Sequence, residues 1–391
     1  MTQATVTSDA RPQPRLEFID MLRGLVLCLM VLDHTRDFVH RTAFIFDPLD
    51  LGKTSVALFM TRWVTHLCAP TFVFLSGVSI FLQVQKGKTG WPLSRFLLTR
   101  GLWLIVLELA IVNTGFDFGF GVYLQVIYAI GLSMVAMAAL VWLPPRAVLV
   151  IGIAIIAGHN LFDGVNADSL SAGALPWRLL MQPGPVPGGV ITYPALPWLG
   201  VMCLGYGLGW IYLLAPRTRN RVLAGLAAGF LIAFLILRPA NLYGNVTAWT
   251  MPANRALMPL AEIDVTKYPP SLDYVLLTLG ISFLLSLALQ GLPRLLARPL
   301  LVFGRTAMLT YLLHIYLAHF LALDIGVAMG VPVGDFFYQL SDPSRLIKDG
   351  GGLPLWGVYA VWLSVLIILF PISMAYDRYK ATHRTWWTSY L

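Results

Sequence analysis

Charge is scarce in this sequence. Only 12% of its 391 residues are charged and 58% are hydrophobic, whereas an ordinary soluble domain carries about 25% charged residues. A chain so poor in charge cannot cover a water-facing surface of its own size, which excludes a soluble globular protein and implies a polytopic membrane protein. Cysteine is scarce too. Cys28, Cys68 and Cys203 all lie in apolar segments, which excludes a disulfide framework and a cysteine-based zinc site. Neither H-x-x-x-H nor H-E-x-x-H occurs, so no metal is expected. No basic run is interleaved with aromatics, so the net charge of +8 does not point to nucleic acid. No period of about 20 to 50 residues repeats, which excludes a solenoid. Residues 1–14 lack the apolar centre of a signal peptide. The first membrane helix is therefore expected to act as the insertion signal.

Apolar runs are what the chain has in abundance. About ten segments are long enough to cross a hydrocarbon core, which takes roughly 20 residues. They fall near 18–38, 56–82, 95–115, 121–143, 147–163, 195–214, 222–238, 272–291, 300–325 and 354–376. The fold class expected is an all-α, polytopic integral membrane helix bundle. Residues 1–16 form a flexible cytoplasmic tail, and 17–391 form a single membrane domain. Lysine and arginine gather in the short connections that hold Arg11 and Arg15, Arg95 and Arg100, Arg217 to Arg221, Arg294 and Arg298, and Arg378 to Arg384. The positive-inside rule then puts both termini in the cytoplasm. The longer connections at 39–55, 164–194, 239–271 and 326–353 fall outside. Small residues in SGVS (76–79) and GVMCLGYGLG (200–209) read as close helix packing. The proline-rich stretch 176–198 reads as an irregular loop held over the bundle.

Ionisable residues inside membrane spans cost free energy and mark candidate sites. The stretch Glu17 to Arg41 concentrates them. Asp20 and Arg23 precede the apolar run Gly24–Leu32, and Asp33, His34, Arg36 and Asp37 follow it. By depth, His66, His159 with Asn160 and Asp163, and His314 approach the same outer half of the bundle, with His319 above His314. Histidine carries protons near neutral pH, so such a set suits a proton-handling pocket. Asp33 or Asp37 is expected to orient His34 and raise its basicity. A helix-end ion cluster with Arg36 is the plainer reading of the same residues. His66, four residues before Pro70, reads either as a functional group or as a donor to a carbonyl freed by the proline. Glu108 is expected to face the bundle interior, and Asn113, Asp117, Tyr123, Gln125 and Tyr128 are candidates for lining the pocket of His34.

The motif D-x-x-R-G-L (Asp20, Arg23, Gly24, Leu25), with His34 following, resembles the first helix of transmembrane acyltransferases. The chain is similar over nearly its whole length to the bacterial branch of the heparan-alpha-glucosaminide N-acetyltransferase-like family, long known as a domain of unknown function. The resemblance rests on LDHTRDF (32–38), THLCAPTFVFLSG (65–77), GHNLFD (158–163), YPALPWLGVMCLGYGLG (193–209), KYPPSLDYVLLTLG (267–280), FGRTAMLTYLLHIYLAH (303–319) and the W-W-x-S-Y-L end (386–391). It implies transfer of an acetyl or other acyl group from cytosolic acetyl-CoA to a sugar or other acceptor on the outer side of a bacterial cytoplasmic membrane.

On that reading His34, Asp33, Asp37 and His66 are the catalytic candidates, and a histidine acts as general base or acyl carrier. Arg36, His159, Asn160, Asp163 and His314 are the substrate-binding candidates. Arg23 and Arg305 are candidates for the CoA phosphates, and Arg36, Asn160 or a backbone N–H for the oxyanion. The lysosomal relatives resemble asparagine at the position of His34 and carry a histidine in the following loop, so His40 and His66 stay open as rivals. The expected partners are the lipid bilayer and a small-molecule or glycan acceptor, with a homodimer left open. The rival function is a proton-coupled transporter or flippase of a polar or lipid-linked substrate. Against it, no inverted pair of interrupted helices is legible.

Overall fold

The computed structural model describes residues 16–337, 351–383, 385 and 388. Arg11, Arg15, Arg384, nearly all of the expected tail and most of the 386–391 motif lie outside the described residues. Helix α1 (Glu17–Val39) is followed by α2 (Val56–Gln85), α3 (Gly90–Asp117), α4 (Val126–Leu140), α5 (Pro145–Phe162), α6 (Ala195–Leu213), α7 (Pro216–Ala240), α8 (Leu272–Gly291), α9 (Arg294–Arg305), α10 (Ala307–Ala328) and α11 (Leu355–Thr382). Among the described residues, eight helices (α2, α3, α5–α8, α10 and α11) are long and apolar enough to cross a membrane. The architecture is the all-α polytopic bundle that the apolar runs imply.

Two spans differ from expectation. The segment expected over 121–143 is helical only from Val126 to Leu140, about 22 Å at 1.5 Å per residue. The residues before it are extended: β1 (Val122–Leu124) runs parallel to β3 (Gly189–Ile191), which pairs antiparallel with β2 (Gly184–Val186). The proline-rich connection is therefore not wholly irregular, because this three-stranded sheet and a short helix at Ala174–Leu180 order it. The segment expected over 300–325 is broken at Thr306, whose φ of −112° leaves the helical region. Its backbone N–H and its hydroxyl both donate to Val302 O at the break, at 3.2 and 2.9 Å.

Helix α1 packs against α2, α9, α10 and α11. It runs parallel to α9 and α10, and glycine makes their approach possible. A Cβ on Gly24 would lie 1.9 Å from Leu300 O, and one on Gly304 would lie 1.8 Å from Asp20 O. The two backbones touch there, a contact that only residues without a side chain allow. The seam between α2 and α6 repeats the device at Gly77 and Gly205, where a Cβ would lie 2.0 Å from Met202 O and from Phe74 O respectively. Both residues lie in the two small-residue runs read as packing faces.

A row of hydroxyls on α8 is satisfied locally. On α8, Thr278, Ser282 and Ser286 each donate to the carbonyl four residues back, at 2.6 to 2.8 Å. Ser282 also meets Thr71 of α2 at 2.7 Å. Such back-bonding lets polar side chains sit in an apolar bundle without orphaned donors.

Candidate functional site

The parallel packing of α1 on α10 brings together two histidines 280 residues apart in the chain. His34 Nδ1 lies 2.7 Å from His314 Nε2. The rings are nearly parallel, at 12°, with centroids 5.0 Å apart. His314 is fully buried, and its Nδ1 lies 3.2 Å from Thr310 O. A carbonyl can only accept, so the His314 proton sits on Nδ1 and its Nε2 is a lone pair. His34 must then donate from Nδ1. That leaves His34 Nε2 as an unprotonated base, and it has no hydrogen-bond partner among the described residues. Phe116 stands edge-on to the His34 ring at 5.0 Å and closes one side.

The expected carboxylate support for His34 is replaced by this histidine. Asp33 and Asp37 face cations instead. Arg36 Nη2 lies 3.0 Å from Asp33 Oδ1 and 2.6 Å from Asp37 Oδ1. Arg62 Nη1 reaches Asp33 Oδ2 at 3.4 Å, and Lys267 Nζ stands 4.0 Å from the same oxygen. A guanidinium offers several charge-assisted donors in a fixed fork, so it outcompetes a neutral imidazole for neighbouring carboxylates. Three cations around two carboxylates leave one positive charge in excess beside His34.

A cavity of roughly 90 Å³ opens on this group, lined by Asp33, His34, Asp37, Arg62, Tyr123, Gln125, Tyr193 and Tyr268 among others. Arg62 and Tyr268 also line a larger cavity of roughly 540 Å³, together with His66, Lys267, Trp249, Asp47 and Asp264. His66 is 1% exposed, and neither ring nitrogen has a partner among the described residues. The alternative of a bond to a proline-freed carbonyl is thus not what the ring does. Its own backbone carbonyl is held by Tyr274 Oη at 2.8 Å.

On the opposite side of the histidine pair lies a third cavity, of roughly 380 Å³. Its far end carries Arg23, Arg100, Arg305 and Lys380, and its walls are Leu27, Met30, Phe72, Ile127, Met134 and Met308. Met30 is one helical turn below His34, and Tyr311 of the same cavity is one turn below His314. Arg23 pairs with Asp20 at 3.1 Å, and Arg305 stands among Glu17, Asp20 and Asp377 at 3.5 to 3.8 Å. Both arginines expected at a CoA mouth therefore line one cavity.

Other sequence candidates lie elsewhere. His159 Nδ1 donates to Ile156 O at 3.0 Å at the end of α5. Asn160 donates to Asp163 at 2.9 Å and accepts from Leu272 N at 3.0 Å, tying α5 to the start of α8. These three line none of the cavities described above and stand as a helix-end clamp. His40 is buried against Thr42, at 2.9 Å, and lines a separate small pocket. Burial and the neighbouring Arg36 and Arg41 push its imidazole down to about 4. His319 is locked between Gly115 O and Phe336 O at 2.9 and 3.0 Å. Of the polar set near β1, Tyr123 and Gln125 line the His34 cavity, while Asn113 donates to Gly121 O at 3.0 Å.

Sequence reasoning did not single out Arg62 or Tyr311. For Arg62 the signal was present, since an arginine inside an apolar span is itself costly. A lone tyrosine in an apolar helix carries no such signal. Among the described residues no three histidine, cysteine, aspartate or glutamate side chains gather as metal ligands would.

Residues 15–238 match the heparan-alpha-glucosaminide N-acetyltransferase catalytic family. The chain belongs to that family. The match covers more than half of the chain, including His34, Asp33, Arg36, Asp37, Arg62 and His66, whereas Lys267, His314 and Tyr311 lie beyond it. No curated protein matches the chain. Membership implies a membrane acetyltransferase, and the eight apolar helices agree with a multi-pass integral membrane protein.

Proposed function

We propose that the protein transfers an acetyl group from an acyl-CoA, entering at the cation-bearing end of the bundle, to an amine or hydroxyl of a small-molecule or glycan acceptor at the other end, with His34 as general base. One observation carries this reading: an imidazole with a free Nε2 stands between two cavities that approach it from opposite ends. The inner cavity has the lining that an acyl-CoA needs, with cations for phosphates at its far end and apolar walls for the pantetheine arm. Under the positive-inside reading this end faces the cytoplasm of a bacterial inner membrane, where acyl-CoA is made. The outer cavity, with His66, Arg62 and Lys267, supplies polar groups for the acceptor.

The chemistry follows from the tautomer. The acceptor N–H or O–H gives its proton to His34 Nε2 as its lone pair attacks the thioester carbon. His314 accepts from His34 Nδ1 and so stabilises the imidazolium that forms. The tetrahedral intermediate collapses, the C–S bond breaks, and sulfur leaves with the electron pair. The proton held by His34 then balances the thiolate as a thiol, restoring the free base. His314 is a positioning residue in this scheme, and Asp33 and Asp37 act by holding Arg36 and Arg62 in place.

The test uses purified protein in lipid vesicles with radiolabelled acetyl-CoA and a panel of amino sugars and glycans. Label transfer that disappears in His34→Ala, with acetyl-CoA still bound, is the expected result. A His34→Ala variant that transfers at the normal rate would remove His34 from the mechanism. Proton-coupled uptake of a substrate with no acetyl-CoA binding would replace the enzyme by a transporter.

A further inference from the structure

The intermediate in this reaction carries a negative oxygen. Arg36, paired through Nη2 with Asp33 and Asp37, and Asn160, bonded to Asp163 and Leu272 N, line neither the inner cavity nor the one beside His34. The wall between the inner cavity and the small cavity beside His34 offers something else. It is the N-terminus of α4. Val126 and Ile127 line the inner cavity, and the preceding Gln125 lines the His34 cavity. Glu108 fastens this terminus, its Oε2 accepting from Tyr128 N at 3.0 Å. Facing the wall from α10 is Tyr311, which lines the inner cavity and sets its ring 5.4 Å from that of His314. Tyr311 is 5% exposed, and its hydroxyl has no hydrogen-bond partner among the described residues. The Gln125 amide nitrogen is buried and unpartnered in the same way.

Buried polar atoms without partners are uncommon in folded proteins, because each forfeits its solvation with nothing in return. Two donors of this kind at one partition, on a helix terminus whose own N–H groups Glu108 already takes up, describe a place prepared for an oxygen acceptor. We infer that Tyr311 Oη–H and the Gln125 amide form the oxyanion seat, holding the thioester carbonyl oxygen as an acyl group reaches His34 from the inner cavity. The inference rests on the acyltransferase reading above and adds two residues in direct contact with the reacting group. As the acceptor attacks, the carbonyl π pair moves onto oxygen, and the two donors bind that oxygen more tightly than they bind the ground-state carbonyl. When the C–S bond breaks the pair returns, and neither donor loses its proton. Donors fixed in place before the charge appears need no reorganisation at the moment of reaction.

The experiment compares wild type, Tyr311→Phe and Gln125→Leu in vesicles, measuring kcat, acetyl-CoA affinity and CoA affinity. It adds the infrared stretch of bound acetyl-CoA labelled with ¹³C at the carbonyl. Loss of one oxyanion donor is expected to lower kcat by about 10²–10³-fold. CoA lacks the acyl carbonyl, so its affinity is expected to stay within about threefold of wild type. The carbonyl stretch, lowered in frequency on binding wild type, is expected to move back toward its free value in Tyr311→Phe. A Tyr311→Phe enzyme with normal kcat and an unchanged stretch overturns the inference while leaving the enzyme reading intact. Parallel loss of kcat and CoA affinity in both variants also overturns it, since that is the signature of a packing defect. A wild type that neither binds nor consumes acetyl-CoA sinks the enzyme reading, and the oxyanion seat with it.

Discussion

Replacing His314 by phenylalanine isolates the positioning of the base from the base itself. The ring stays similar in size, but the lone pair 2.7 Å from His34 Nδ1 is gone. His34 Nδ1–H is then a donor facing an apolar ring in a half-buried site. An unsatisfied buried donor costs about 1–3 kcal/mol. The productive tautomer, with Nε2 free, loses that amount relative to the tautomer with the proton on Nε2. At 1.36 kcal/mol per decade this is a fall of roughly 5- to 150-fold in kcat, and the loss of imidazolium stabilisation places the expectation near the upper end. KM for acetyl-CoA should change little, because His314 does not line the inner cavity. His314→Gln, whose side-chain carbonyl can accept from Nδ1–H, should recover part of the rate. Label transfer in vesicles reads all three quantities. The decisive arm is the double variant with His34→Ala. Residues acting through one base are non-additive, so His34→Ala with His314→Phe should be no slower than His34→Ala alone. Full activity in His314→Phe, or additive losses in the double variant, would refute the positioning role.

Two further predictions concern the frame and the outer loop. Gly24→Ala places a methyl carbon 1.9 Å from Leu300 O, so α1 and α9 must separate. A loss of about 3 kcal/mol is expected, at the upper end of overpacking costs, seen as a lower midpoint in thermal unfolding in detergent. Asp264 sits in the outer loop, where burial pushes its carboxyl up to about 6, Asp47 adding to the effect and Arg238 opposing it. A raised carboxyl contributes stability that is fully present below its ordinary value of about 3.9 and lost as pH rises through about 6. Asp264→Asn should therefore gain midpoint relative to wild type between those values. A constant difference across that range would dismiss the titration.

The bundle was legible because apolar length is a strong signal: all ten segments overlap helix, and among the described residues eight helices are long and apolar enough to cross a membrane, α1 and α4 not being among them. What blurred α4 and the break at Thr306 was local. Apolar composition continues through β1 and through Thr306, so hydropathy cannot see where the backbone turns extended or kinks. The site was half legible. His34 and the inner arginines could be placed by depth and charge. The identity of the partner of His34 could not. Sequence neighbours suggested Asp33 and Asp37, but a guanidinium in the next turn claims both carboxylates. His314 is a neighbour only because α1 and α10 run parallel. His159 shows the converse: it was read at the outer side with the others, yet it belongs to a helix end that clamps α5 to α8. Depth is readable along a chain, whereas azimuth around a bundle is not.

The glycine seam between α1 and α9 has a mechanical consequence. From Gly24 to His34 the chain climbs about 15 Å of unbroken helix, whereas from Gly304 to His314 it crosses the break at Thr306. The seam is where the two backbones touch, and α10, stepped off α9 by that break, packs on α1 above it. The seam fixes the foot of both segments, and the break lets the upper one lean its histidine onto His34. The distance on which the tautomer depends thus starts from two residues that have no side chains and take no part in the chemistry.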